Sequence, residues 1–119
     1  MTLYKMVLVF LGGGLGSISR YLIAIYLHSS TTKIPVATLI ANIVSCFILG
    51  ISYKYYKIDE TQYWIWFFVM IGFCGGMSTF STFTAENFQL IQQAQFFQFA
   101  SYTIISLVLC LIFFWLGIR

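Results

Sequence analysis

Four apolar runs fill most of this chain, and short polar stretches separate them. They cover roughly residues 3–27, 35–53, 63–84 and 96–118. A helix needs about 20 predominantly apolar residues to cross the hydrocarbon of a bilayer, and each run is near that length. The stretches between them are "HSSTTK", "KYYKIDETQ" and the region around "NFQLIQQAQ". All are short, so consecutive spans must be antiparallel. Pro35 suits the first turn of the second helix. The pattern predicts an all-α integral membrane protein with one four-helix transmembrane domain over residues 1–119, without a soluble domain or an internal repeat.

The third run is irregular. "GFCGGMSTFSTFTAE", Gly72 to Glu86, places three glycines, then hydroxyls alternating with phenylalanines, then a carboxylate where a plain span would be apolar. Gly72, Gly75 and Gly76 weaken a helix, and Ser and Thr offer its backbone alternative hydrogen bonds. The expectation is a third helix broken mid-membrane, with the glycines making the break. A break at that depth survives only where protein or a water-filled cavity covers the freed backbone groups. Broken helices also expose carbonyls and helix ends that hold ions.

Composition supports the membrane reading. Of 119 residues, 61% are hydrophobic and 8% charged, and the mean hydropathy is +0.92; a soluble domain carries about 25% charge. A net charge of +3 is too small to suggest nucleic acid. Cys46, Cys74 and Cys110 all lie in apolar runs without a CxxC, which argues against a disulfide framework and a zinc site. The N-terminal run lacks an A-x-A-like site and reads as a retained span. Lys5, Lys54, Lys57 and Arg119 fall on one side of the membrane and Lys33 on the other, which favours cytoplasmic termini. Tyr53, Tyr55, Tyr56, Tyr63, Trp64, Trp66 and Trp115 fit aromatic belts.

Polar groups inside spans mark candidate chemistry. In the first span, Gly12 and Gly16 form a small-xxx-small pair suited to close helix packing. Arg20 either snorkels to the interface or sits at the mouth of an anion pathway. In the second, Thr38, Asn42 and Cys46 share one face at i, i+4, i+8; Asn42 either glues helices or offers its amide donors to an anion. In the fourth, Tyr102, Ser106 and Cys110 repeat that spacing. Phe80 and Phe83 lie i, i+3 beside a polar track of Ser78, Thr79, Ser81 and Thr82. Phenyl rings have positive edges, and edges turned toward a pathway favour an anion. Glu86 reads as the end of the third span, either an interfacial cap or a group at the mouth of the track. Four helices make a thin bundle, so a pathway at or near an oligomer interface is expected.

These motifs carry a resemblance. "GGGLGSISRY", "PVATLIANIVSCFILG" and above all "GFCGGMSTFSTFTAE" resemble the small bacterial fluoride channels, the Fluc/CrcB family, over essentially the whole chain. The resemblance implies a fluoride-selective passive channel that exports cytoplasmic fluoride and gives fluoride resistance. It implies a bacterial plasma membrane location and an antiparallel, dual-topology dimer with two pathways. Phe80 and Phe83 are then the box residues whose ring edges meet the ion, and Asn42 the pore amide. Ser81 and Thr82 belong to the polar track, Tyr102 and Ser106 to the fourth helix's share of the pathway, and Arg20 to the aqueous vestibule. A structural sodium at the dimer centre would take backbone carbonyls of Gly75 and Ser78. Ser78 stands where the family more often has Thr, and Cys110 where a serine would continue the polar stripe. The charge bias exceeds that expected of a dual-topology homodimer, so the partner is either a second copy or a paralogous chain.

Rival classes have weaker support. A proton-coupled small multidrug exporter needs a carboxylate deep in a membrane helix. A membrane enzyme needs paired acids, a metal cluster or a nucleophile with its base, and the only histidine is His28, between spans. A purely structural subunit would explain the glycines and leave the Phe/hydroxyl interleaving and Asn42 without a purpose.

Overall fold

The computed structural model describes residues 2–27 and 34–119. His28 and Lys33 lie outside the described residues. Helix α1 covers Thr2–Tyr26 and α2 covers Val36–Ile58; α3 begins as a π-helix, Ile65–Cys74, and closes with one α turn, Gly75–Met77; α4 covers Phe80–Gln92 and α5 Phe96–Ile118. Helices α3 and α4 together form one span, Ile65–Gln92, so four spans are long and apolar enough to cross a membrane. The 25 residues of α1 reach about 37 Å at 1.5 Å per residue, more than the hydrocarbon thickness of about 30 Å. The chain is a multi-pass membrane protein.

Two boundaries differ from the hydropathy pattern. Helix α2 continues five residues past Tyr53, because "KYYKI" is helix-compatible and Lys57 in the last turn suits the negative helix end. Asp59 then closes a turn. Its carboxylate accepts from the Thr61 hydroxyl, the Thr61 N–H and the Gln62 amide, and the Thr61 bonds hold it below the usual carboxylate range. The third span ends at Gln92 rather than near residue 84. The region around "NFQLIQQAQ" is therefore mostly helix, and the true connection is three residues long. There Gln95 N–H donates to the Leu90 carbonyl and Ala94 N–H to that of Ile91. This is a Schellman-type ending, with Ala94 at φ 56° where glycine is more usual.

The principal helix contacts join alternate spans, α1 with α3 and α2 with α5, and alternate spans run parallel. Small residues permit both contacts. A methyl group on Gly12 would lie 2.1 Å from the Phe68 carbonyl oxygen, and one on Gly16 would lie 2.1 Å from that of Phe73. On the other seam, a methyl on Gly50 would meet the Phe114 oxygen at 2.3 Å and one on Gly117 the Phe47 oxygen at 2.5 Å. Such backbone-to-backbone approach is how helices associate in lipid, where apolar side chains gain nothing by leaving the solvent.

Gly72 and Gly76 serve this packing, and none of the three glycines makes the break. Gly75 is helical at φ −64°, ψ −34°, and a methyl on Gly76 would lie 2.4 Å from the Gly13 oxygen. The interruption falls at Ser78 and Thr79, both extended, at φ −78°, ψ 153° and φ −150°, ψ 121°.

The basic residues of one membrane face gather as expected. The Lys54 ammonium donates to the Arg119 carbonyl at 3.2 Å, Lys5 lies over Tyr63 and Phe67, Lys57 over Tyr53 and Arg119 over Trp115. Aromatic rings at this level hold cations at the interface.

Candidate functional site

The break between α3 and α4 is held by side chains from three directions. Asn42 on α2 clasps the Thr79 peptide: its Oδ1 accepts the Thr79 N–H at 2.9 Å and its Nδ2 donates to the Thr79 carbonyl at 3.5 Å. Arg20 on α1 donates from Nε to the Gly76 carbonyl at 3.3 Å. Ser45 on α2, almost fully buried, donates to the Cys74 carbonyl at 2.9 Å, and Ser78 does so from its own side chain at 2.8 Å. Thr79 caps α4 by accepting the Thr82 N–H at 3.1 Å, the usual N-cap arrangement. Breaking a helix in lipid leaves polar backbone groups that cost several kcal/mol each if unmet, and these contacts meet several of them.

Two carbonyls are treated differently. In an unbroken helix the Thr79 N–H would bond to the Gly75 carbonyl and the Thr82 N–H to the Ser78 carbonyl. Both donors are diverted, one to Asn42 and the other to the Thr79 hydroxyl. Gly75 and Ser78 are thereby deprived of their helical donors at the break.

Beside the break lies a cavity of about 400 Å³, lined among others by Asn42, Cys46, Phe80, Phe83, Ser106 and Cys110. The two polar stripes of the sequence face each other, and all of their rungs but the first, Thr38 and Tyr102, line the cavity. Thr38 and Tyr102 share one rung through Glu86; Asn42 and Ser106 line the next stretch; Cys46 and Cys110 lie at the third. The Ser106 hydroxyl is buried and has no hydrogen-bond partner among the described residues. The ring centroids of Phe80 and Phe83 are 5.8 Å apart, and those of Phe83 and Tyr102 5.0 Å. Phe80 is 80% exposed.

Glu86 is not the end of its span. It sits in the middle of α4, half-buried, and accepts the Thr38 hydroxyl at 2.9 Å and the Tyr102 hydroxyl at 3.0 Å. It joins α2, α4 and α5 instead of capping a helix. Tyr102→Phe removes one of its two donors and should cost about 1–3 kcal/mol, read as a lower unfolding midpoint in detergent with the same oligomeric state. An unchanged midpoint would show that the bond contributes nothing.

The other assigned residues separate in place. Asn42, Phe80, Phe83 and Ser106 come together at the cavity. Ser81 and Thr82 are on the first turn of α4 but do not line it; the Ser81 hydroxyl lies 3.3 Å from that of Thr79. Arg20 reaches inward to the break, where spacing left it open between snorkelling and a pathway mouth. Ser45 went unremarked in the sequence, because a lone serine in an apolar helix is indistinguishable from one bonded to its own backbone. The Thr79 cap had a legible signal, a hydroxyl three residues before the donor it serves.

The family model described as CrcB-like protein, Camphor Resistance (CrcB), matches residues 7–118. The chain belongs to the Fluc/CrcB family. Among curated relatives of this Fluc/CrcB chain, a protein of Phocaeicola vulgatus named "Fluoride-specific ion channel FluC" is 39% identical over 115 residues, 96% of this chain and 95% of the relative. One of Flavobacterium psychrophilum with the same name is 38% identical over 91% of this chain and 89% of its own. "Fluoride-specific ion channel FluC 1" of Yersinia pestis is 41% identical over 88 residues, 73% of this chain and 69% of that protein.

Proposed function

We propose that this chain forms a fluoride-selective passive channel, and that the cavity beside the α3/α4 break is its part of the ion pathway. The observation that carries the reading is the company kept by the unpartnered Ser106 hydroxyl: the Asn42 amide, whose second N–H is not committed to Thr79, and the Phe80 and Phe83 rings. A small, strongly hydrated anion needs several weak partners that replace water yet release the ion. Hydroxyls, one amide and phenyl edges are of that kind, and none carries a full positive charge. Arg20 is bound to the break and away from the lining, where it would favour anions without trapping them. On this reading the chain is a channel and not an enzyme, and down-gradient loss of fluoride protects the cell.

The cavity is only half of a pathway. Exposed apolar faces and the exposed Phe80 ring fit a second chain, in an antiparallel dimer with two pathways, either a copy of this one or a paralogue. The diverted donors at Gly75 and Ser78 suit a cation: their carbonyls would hold a structural sodium, which when bound supplies positive charge against the carbonyl dipoles at the break. A hydroxyl residue of either size serves at position 78, since the backbone is the ligand.

The test is efflux from liposomes followed with a fluoride electrode, with chloride-loaded vesicles in parallel. Fluoride should leave and chloride stay. Phe80→Ile should lower fluoride efflux at least about tenfold, the loss of roughly 1.4 kcal/mol of ion stabilisation, in protein that still elutes as the wild type does. Replacing sodium throughout by N-methylglucamine should also slow efflux. Equal passage of chloride, or no efflux with or without a co-reconstituted paralogue, would overturn the reading.

A further inference from the structure

A second cavity, of about 540 Å³, lies where α2 ends and α3 begins. Its polar lining comes from the connection: Asp59, Gln62 and Trp64. These three are joined in series. The Gln62 amide donates to Asp59 Oδ2 at 3.3 Å, and the Trp64 indole N–H donates to Gln62 Oε1 at 2.9 Å. Asp59 takes its other two bonds from the Thr61 N–H and hydroxyl, which help keep the carboxylate ionised at neutral pH. All three of its donors are therefore neutral. The lysines at the same end of α2 are engaged elsewhere, Lys54 on the Arg119 carbonyl and Lys57 over the Tyr53 ring. The apolar lining, Ile51, Ile58 and Ile65, belongs to the two helices. The cavity thus joins a negative charge and an indole in the connection to aliphatic side chains on the spans.

We propose that this cavity seats a phospholipid whose headgroup carries a primary ammonium, of the phosphatidylethanolamine class. Charge complementarity decides the class. A carboxylate accepts about four hydrogen bonds, and Asp59 has three, so one more donor can be met. An indole is the best ring for a cation, and Tyr55 adds a second ring to the lining. A primary ammonium uses both features, since it carries charge and N–H donors. A quaternary ammonium lacks the donors, and an anionic headgroup meets the Asp59 charge. The occupant is a lipid and not a dissolved amine because the lining follows a lipid's own order, polar at the connection and aliphatic on the spans. Trp64 and Tyr55 belong to the aromatic belt that marks headgroup depth, and Ile58, 73% exposed, offers aliphatic surface to an acyl chain. No residue of this lining is shared with the cavity beside the break, so the seat does not rest on the fluoride reading.

The test is native mass spectrometry of the purified full chain in detergent, titrated with equal amounts of phosphatidylethanolamine and phosphatidylglycerol of identical acyl chains. The unmodified chain should bind the ethanolamine lipid about tenfold more tightly, the size expected of an exposed ion pair and an exposed cation–π contact together. Asp59→Asn removes the charge and keeps a side-chain acceptor for the Thr61 turn, and the preference should fall at least about threefold. Trp64→Leu should lower it by a similar factor. Glu60→Gln removes the same charge one residue away, outside the lining, and should leave the preference as it is. Equal binding of the two lipids by the unmodified chain would overturn the seat without any variant. A preference that survives Asp59→Asn, or that falls as far in Glu60→Gln, would also overturn it, the second outcome pointing to diffuse surface charge. Displacement of the lipid by an equal concentration of free ethanolamine would overturn the choice of a lipid as occupant.

Discussion

Gly12→Ala should lose about 3 kcal/mol of unfolding free energy, at the upper end of the range for overpacking, while Gly14→Ala stays within about 1 kcal/mol of the wild type. The two positions lie on the same helix and receive the same methyl group. At Gly12 that methyl lands 2.1 Å from the Phe68 oxygen, 3.0 Å from the Phe68 carbonyl carbon and 3.0 Å from the Phe73 nitrogen. All three are backbone, so no side chain can swing away and α1 must separate from α3. At Gly14 nothing lies within 4 Å. The double change Gly12→Ala with Gly16→Ala should abolish recovery of monodisperse protein, since Gly16 meets Phe73 in the same way. Detergent melts and gel filtration check this. If Gly12→Ala melts with Gly14→Ala, the α1/α3 contact is looser than described.

The second large effect is at Asn42. Asn42→Leu keeps the branched shape and removes both bonds to the Thr79 peptide. The Thr79 N–H is then left part-buried without an acceptor, a cost of about 1–3 kcal/mol. One way to recover it is for Thr79 to return to its helical partner, the Gly75 carbonyl, which straightens the break. The change therefore acts on the pathway twice, by deleting an amide from the lining and by moving Phe80, the first residue of α4. Fluoride efflux should fall on the order of 100-fold, the product of two losses of about 1.4 kcal/mol each. Asn42→Asp separates the two roles. A carboxylate keeps the acceptor for Thr79 N–H and removes the donors, at the cost of a charge at membrane depth, so the break should be held while efflux stays low. Recovery of both would mean that Asn42 serves only to hold the break.

The same residue shows why spacing alone left two readings standing. Thr38, Asn42 and Cys46 share a face because a helix repeats every 3.6 residues, and Tyr102, Ser106 and Cys110 do so for the same reason. Neither stripe reveals that the two face each other. That depends on α2 and α5 being parallel alternate spans brought together by Gly50 and Gly117, glycines distant in sequence. Cys110 looked like a defect in its stripe, yet with Cys46 of α2 it lines one cavity.

Glu86 illustrates the same limit. A carboxylate in an apolar run is reasonably taken for a helix end, since hydrocarbon does not tolerate a lone one. Two hydroxyls from other helices, Thr38 and Tyr102, change that balance, and α4 continues to Gln92. The break was anticipated, but its position was assigned to the glycines. A glycine is a weak point in a helix only when nothing needs its bareness, and here α1 packs against Gly72 and Gly76. Ser78 and Thr79 depart from the helix instead, where Asn42 and the Thr79 hydroxyl supply alternative bonds.

What the sequence by itself determined is what depends on composition and local spacing. The number of spans, their order, the all-helical class and the family follow from runs of apolar residues and from one contiguous motif, because in lipid each helix must satisfy its own backbone and be apolar along its length. The tertiary structure alone decided which polar groups meet: Asn42 with Thr79, Arg20 with Gly76, Ser45 with Cys74, Thr38 and Tyr102 with Glu86. Each of these joins residues on different helices. Their energies are set by whether a donor finds its acceptor across a gap of a few ångströms, a distance that no periodicity along one helix encodes.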